Sequence, residues 1–194
     1  MTAIALRPPG RIARPTVILA GLAAVVGLRW QATVQGGGGA LAIGLLFGLG
    51  LIVIALVSGW RPGLGRPASL AFGGAGGAVL VVLAIATRSG HLPWFASAPD
   101  VVPWVAVTVL VATAEEVVLR GALFDALDAS LGSPGAVLIT SAVFALMHVP
   151  LYGWHVVPLD LGAGLWLAGL RLTTGGISAP AIAHTVADLA SRWL

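Results

Sequence analysis

Apolar residues in this chain fall in long runs broken by short polar separators, such as Arg61-Pro62-Gly63-Leu64-Gly65-Arg66 and Arg88-Ser89-Gly90-His91-Leu92-Pro93. A membrane-crossing helix needs roughly 20 apolar residues. On that measure the pattern predicts helices over 15–29, 38–59, 69–87, 102–127, 135–150, 156–174 and 177–194. The expected fold is all-α, a polytopic transmembrane helical bundle of about seven spans. It divides into an N-terminal segment (1–14), three N-terminal transmembrane helices (15–100) and a helical core (101–194). Every tryptophan except Trp166 lies near a proposed span end, as in an interfacial aromatic belt.

Composition agrees. Of 194 residues, 58% are hydrophobic and 9% are charged, with a mean hydropathy of +1.02. Soluble domains carry about 25% charged residues, so this chain cannot cover a water-facing surface. The absence of cysteine excludes disulfides, thiolate catalysis and Cys-ligated metal centres. The net charge of +3 comes from arginine alone. Because the arginines separate apolar segments, they orient a chain in a bilayer better than they bind nucleic acid, which is not an expected partner. Arg7, Arg11, Arg14, Arg61, Arg66 and Arg171 fall on one side of the predicted topology, and Arg29, Arg88 and Arg192 on the other. That imbalance favours a cytoplasmic N-terminus. Arg29-Trp30-Gln31 stands where a signal peptide would have small residues, so an uncleaved first helix is expected. The clusters Gly36–Gly39 and Gly73-Gly74-Ala75-Gly76-Gly77 lack the flanks of a phosphate-binding loop. They are read as small faces for close helix packing.

Six charged or titratable residues lie within or at the edge of apolar runs: Glu115, Glu116, Arg120, His148, His184 and Asp188. Each costs about 2.5–3.5 kcal/mol or more near the middle of a membrane helix, and such groups usually line a functional cavity. Residues four apart lie about 40° apart around a helix, and residues five apart about 140°. Glu116 therefore faces Arg120 as its ion-pair partner, while Glu115 is free to face a cavity as a candidate general base. Depth supports a common site. Glu115 lies roughly 18 Å above the near end of span four and His148 about as far above that of span five. The pair His184 and Asp188 sits roughly 10–17 Å from the same side.

The residues also form ordered motifs. Glu115-Glu116-Val-Val-Leu-Arg120 reads EExxxR, Phe144-Ala-Leu-Met-His148 reads FxxxH, and His184-Thr-Val-Ala-Asp188 reads HxxxN/D. In this order on successive hydrophobic segments, over roughly residues 100–194, they resemble the CPBP family of CAAX proteases and bacteriocin-processing enzymes. That family includes the eukaryotic endopeptidase that trims prenylated CAAX proteins. The resemblance implies that 101–194 is the catalytic core of an intramembrane endopeptidase with a cavity opening to the cytoplasm. It implies that Glu115 and His148 activate a water, and that His184 and residue 188 stabilise the oxyanion. Glu116, Arg120 and Phe144 would support them. Asp188 departs from the asparagine that could donate an amide hydrogen; of two readings, a carboxyl kept protonated by burial or a carboxylate holding His184 as a donating imidazolium, the second is favoured.

Glu115, His148, His184 and Asp188 could alternatively ligate zinc. Without an HExxH motif, a metal-free, glutamate-type reaction is favoured. The expected partners are a peptide or membrane-protein substrate and the lipid bilayer. Arginine in place of lysine, with abundant Ala, Gly and Val, points to a high-GC bacterial genome and the inner membrane. Prenylated proteins are then not the expected substrates; peptide or bacteriocin maturation, self-immunity or trimming of a membrane partner are. A transporter or proton relay, or a non-catalytic scaffold, are the alternatives. Against a transport path, the polar groups are confined to one layer. His91 and His155, near span ends, are expected to be interfacial.

Overall fold

A computed structural model of the chain describes residues 13–36, 39–63, 65–87 and 101–192. The expectations placed on Arg7, Arg11, Arg88 and His91 lie outside the described residues. Every regular element is helical among those described: α1 (Ala13–Gln35), α2 (Ala40–Val57), α3 (Ser69–Thr87), α4 (Val101–Glu116), a π-helical turn (Val117–Leu123), α5 (Phe124–Tyr152), a short 3-10 turn (Trp154–Val156), α6 (Val157–Thr174) and α7 (Ser178–Ser191). The chain is an all-α, multi-pass membrane bundle.

Five helical stretches are long and apolar enough to cross a membrane, the longest running Val101–Tyr152. That stretch contains two of the predicted spans. Gly132 (φ 74°, ψ 168°) breaks α5 at a left-handed backbone angle that glycine adopts without steric penalty. Pro134 follows in the first turn of the second segment, where its missing N–H leaves no helical bond unmade. The expected spans 102–127 and 135–150 thus run as 101–131 and 133–152. Helix α1 continues six residues beyond the expected end at 29, which carries Arg29 inside the bundle rather than into a loop. Helix α7 has 14 residues, or about 21 Å, shorter than the ~30 Å hydrocarbon core. The stretch 177–194 is therefore not a full-length helical span among the described residues.

The interface between α3 and α7 is built on glycine. A Cβ at Gly73 would come within 2.7 Å of the Ile182 Cβ, and one at Gly77 within 2.7 Å of the Val186 Cβ. Small residues permit this approach, and dispersion contacts then hold the helices. Since α7 carries His184, the glycine seam of α3 sets where that imidazole sits.

One end of the bundle is tied together by polar contacts between loops. Arg66 N donates to the Thr174 carbonyl at 3.1 Å, and Ile177 N to the Gly63 carbonyl at 3.1 Å. Arg171 pairs with Asp125 at 2.9 Å, whose other oxygen accepts from Trp60 Nε1 at 2.9 Å. Arg61, Arg66 and Arg171 belong to segments that meet at this end.

Candidate active site

Helix α4 ends on two adjacent buried carboxylates, and the backbone changes winding just after them. Phe124 N reaches back to the Leu119 carbonyl, an i→i+5 bond that widens the turn. Such π-helical turns are frequent at functional sites. The Arg120 carbonyl accepts instead from Arg171 Nε at 2.9 Å, which satisfies an acceptor the altered ladder leaves over. Trp60 lies against this turn; a Cβ on Gly121 would meet its ring at 2.6 Å. Nothing in hydrophobic periodicity signals this change of winding.

Within the turn, Arg120 is fully buried and spends its charge on specific partners. One amino group bonds Glu116 Oε1 at 2.8 Å, and the other donates to the Gly164 carbonyl of α6 at 3.1 Å. The guanidinium also stacks over the Phe144 ring of α5, 4.7 Å from its centroid. Four segments are thereby joined through one buried cation. The expected Glu116–Arg120 pair is present.

Glu116 Oε1 also meets His184 Nδ1 at 2.9 Å. This contact fixes the imidazole of α7, because a bond at one ring nitrogen sets the role of the other. The remaining nitrogen, Nε2, lies 3.7 Å from Glu115 Oε2 and 3.5 Å from Asp188 Oδ1. Three carboxylates therefore surround one imidazole. Glu115 is almost wholly enclosed (3% exposed), whereas the Asp188 side chain is 42% exposed and forms the open rim.

Phe144 connects this group to His148. Its ring is edge-on to His184, with centroids 5.3 Å apart, and edge-on to His148 at 4.8 Å. His148 Nδ1 lies 2.9 Å from the Phe144 carbonyl and 3.4 Å from Asp160 Oδ2 on α6. Among the described residues, no ion pair joins His148 directly to Glu115. All seven residues singled out in the sequence fall in this connected group.

Two further residues belong to the same cluster. Arg29 of α1 approaches Glu115 Oε1 at 3.9 Å and covers the Phe47 ring at 4.3 Å. It was assigned to an outer loop because the predicted first span stopped at 29. Asp160 matches none of the three motifs. As an acidic residue inside the predicted span 156–174, it met the same criterion that selected Glu115. His155 stays exposed on the short 3-10 turn.

Zinc would need its protein donors in one coordination sphere, each about 2.0–2.2 Å from the metal. Among the described residues, no three His, Asp or Glu side chains converge in that way. Glu115, His148, His184 and Asp188 do not form one such set of donors as they stand.

What the cluster offers is an enclosed carboxylate, an imidazole oriented from behind by Glu116, and a second imidazole two ring contacts away, inside an apolar bundle. Residues 97–190 match the family described as type II CAAX prenyl endopeptidase Rce1-like. No curated protein and no solved structure matches the chain significantly.

Proposed function

Because the chain belongs, through residues 97–190, to the Rce1-like family of type II CAAX prenyl endopeptidases, an intramembrane protease acting on a membrane-associated peptide, we propose that it cleaves its substrate with a water activated by Glu115 and His148. The observation that carries this reading is the 3.7 Å approach of Glu115 Oε2 to His184 Nε2, with Glu116 holding the far side of that imidazole at 2.9 Å. A base and an electrophilic group then face one space.

In this reading Glu115 accepts a proton from the water as its oxygen bonds to the scissile carbonyl carbon. The carbonyl oxygen takes the negative charge and is met by an N–H from His184 Nε2. Hydrogen bonds aimed at a developing oxyanion in a water-poor site lower the barrier substantially. His148 assists the proton transfer, and the proton passes to the departing amine as the C–N bond breaks. Glu116, rather than Asp188, is the main anchor of His184. Asp188 sits on the exposed rim and contributes charge without closing the site.

The reaction is assigned to the glutamate type, without a metal. We place the protein in the bacterial inner membrane with its N-terminus cytoplasmic. Segments bearing Arg61, Arg66 and Arg171 meet at one end of the bundle, as an excess of positive charge on the inner side would require. The substrate class is a peptide or a membrane-protein partner.

The test compares protein termini in membranes containing the wild-type chain or folded Glu115→Ala. New termini should appear only with wild type and should persist after dialysis against chelator. Equal termini in both membranes would refute the proposal. Activity lost to chelator and restored by zinc would replace the glutamate-type assignment with a metal-dependent one.

A further inference from the structure

Helix α6 begins at Val157 with Pro158 in its first turn, and Asp160 is the acidic residue of that turn. An aspartate there commonly caps the free N–H groups or favours the positive helix end. Here the N-cap residue is Val156, whose side chain has no acceptor to offer. The carboxylate turns across the α5–α6 corner instead, and Oδ2 lies 3.4 Å from His148 Nδ1. The corner is made by Gly153 (φ 87°, ψ 174°), which lets the chain reverse within a few residues and brings position 160 opposite position 148.

His148 Nδ1 thus has two oxygen neighbours, the Phe144 carbonyl at 2.9 Å and Asp160. A backbone carbonyl can only accept, so this nitrogen is the donor and Nε2 keeps its lone pair. An aspartate behind an imidazole is a recurrent way to hold a proton-transferring histidine in one tautomer and orientation. Through His148, Asp160 adjoins the Phe144 ring, whose other edge-on neighbour is His184.

We propose that Asp160 is a positioning residue for His148, holding the imidazole with Nδ1–H toward α6 and Nε2 toward the reacting water. This rests on the peptidase reading of His148. Asp160 touches no reacting atom. It explains how His148 is held at the site without a direct ion pair to Glu115.

The test uses the full chain in lipid nanodiscs, with a mixture of internally quenched random peptides as probe. Nitrogen-15 spectra of the histidine rings are recorded beside it, with the His148 signal identified by its loss in His148→Gln. Wild type should show the Nδ1–H tautomer at His148. Asp160→Ala leaves Nδ1–H only the Phe144 carbonyl, so it should shift the His148 ring-nitrogen signals measurably and lower kcat about 100-fold with KM within about threefold. Asp160→Glu, which keeps the carboxylate, should recover part of both. If either the spectrum or kcat is unmoved in folded Asp160→Ala, the proposal fails. Glu115→Gln runs alongside as the control for chemistry. If it cleaves like wild type, or if wild type cleaves nothing, the peptidase reading is what has failed, while the spectrum still decides whether Asp160 holds His148.

Discussion

Helix α7 is gripped on two faces by different physics. Toward α3, Ile182 and Val186 lie on Gly73 and Gly77, with glycine removing the steric bulk that would hold the helices apart. Toward α4, His184 lies between them in sequence and meets Glu116 at 2.9 Å and Glu115 at 3.7 Å. The glycine seam sets a distance: dispersion forces pull the helices together until atoms touch, with little preference for rotation. The charged seam sets an orientation, because an imidazole nitrogen and a carboxylate oxygen must point at each other. An intramembrane site needs both, since lipid supplies no hydrophobic drive for helix association. The first half of the chain contributes mainly the seam, and the second half the orientation. Arg29, reaching from α1 to Glu115, is where the division fails.

Breaking the charged seam should be the more damaging change. Arg120→Met leaves Glu116 without its guanidinium partner and removes the bond to Gly164. Losing one member of a buried pair costs about 3–5 kcal/mol, which thermal unfolding in detergent would read as a large drop in stability. The double variant Glu116→Gln/Arg120→Met should lose less than the sum of the two single losses, because the residues act as a pair. Arg120→Lys should not rescue, since an ammonium cannot reproduce the forked contact to two helices.

In the glycine seam, Gly77→Val forces α7 away from α3 and should cost about 1–3 kcal/mol, as overpacking does. Gly74→Ala is the matched control. Nothing lies within 4 Å of a Cβ at Gly74, so stability and cleavage should both be unchanged. A Gly77→Val protein with wild-type stability would show that the seam is not what seats α7.

Smaller effects test the edges of the charged seam. Asp188→Asn, at the exposed rim, should keep cleavage within about tenfold of wild type, because Glu116 still orients His184. Arg29→Gln should change kcat by only about threefold and leave unfolding alone, as expected for a 3.9 Å contact on a partly exposed cation. A dead Arg29→Gln would promote that residue from neighbour to participant.

Much of this division can be read from residue order. Apolar run length gives the helices, and the i,i+4 relation gives the Glu116–Arg120 pair now seen at 2.8 Å. The spacing also separates the fates of two adjacent glutamates. Three features were hidden for physical reasons. The π-helical turn depends on Arg171 taking the Arg120 carbonyl, a contact between residues 51 apart. Arg29 was misplaced because Trp30 and Gln31 look like the end of a span, whereas α1 runs to Gln35. The separator between spans four and five is a single glycine at positive φ before Ser133-Pro134, with helix on both sides. Local polarity marks where charges are costly, but which of them meet depends on helix rotation, which the sequence pattern constrains only weakly.

The most direct measurement is the rate of peptide-bond cleavage by the full chain in lipid nanodiscs, wild type against Glu115→Gln, with unfolding curves showing that both are folded. The amide keeps the shape of the carboxylate and cannot take the proton of a water. The account predicts a loss of about 1,000-fold or more in kcat at unchanged stability. A folded Glu115→Gln protein cleaving at the wild-type rate would contradict it.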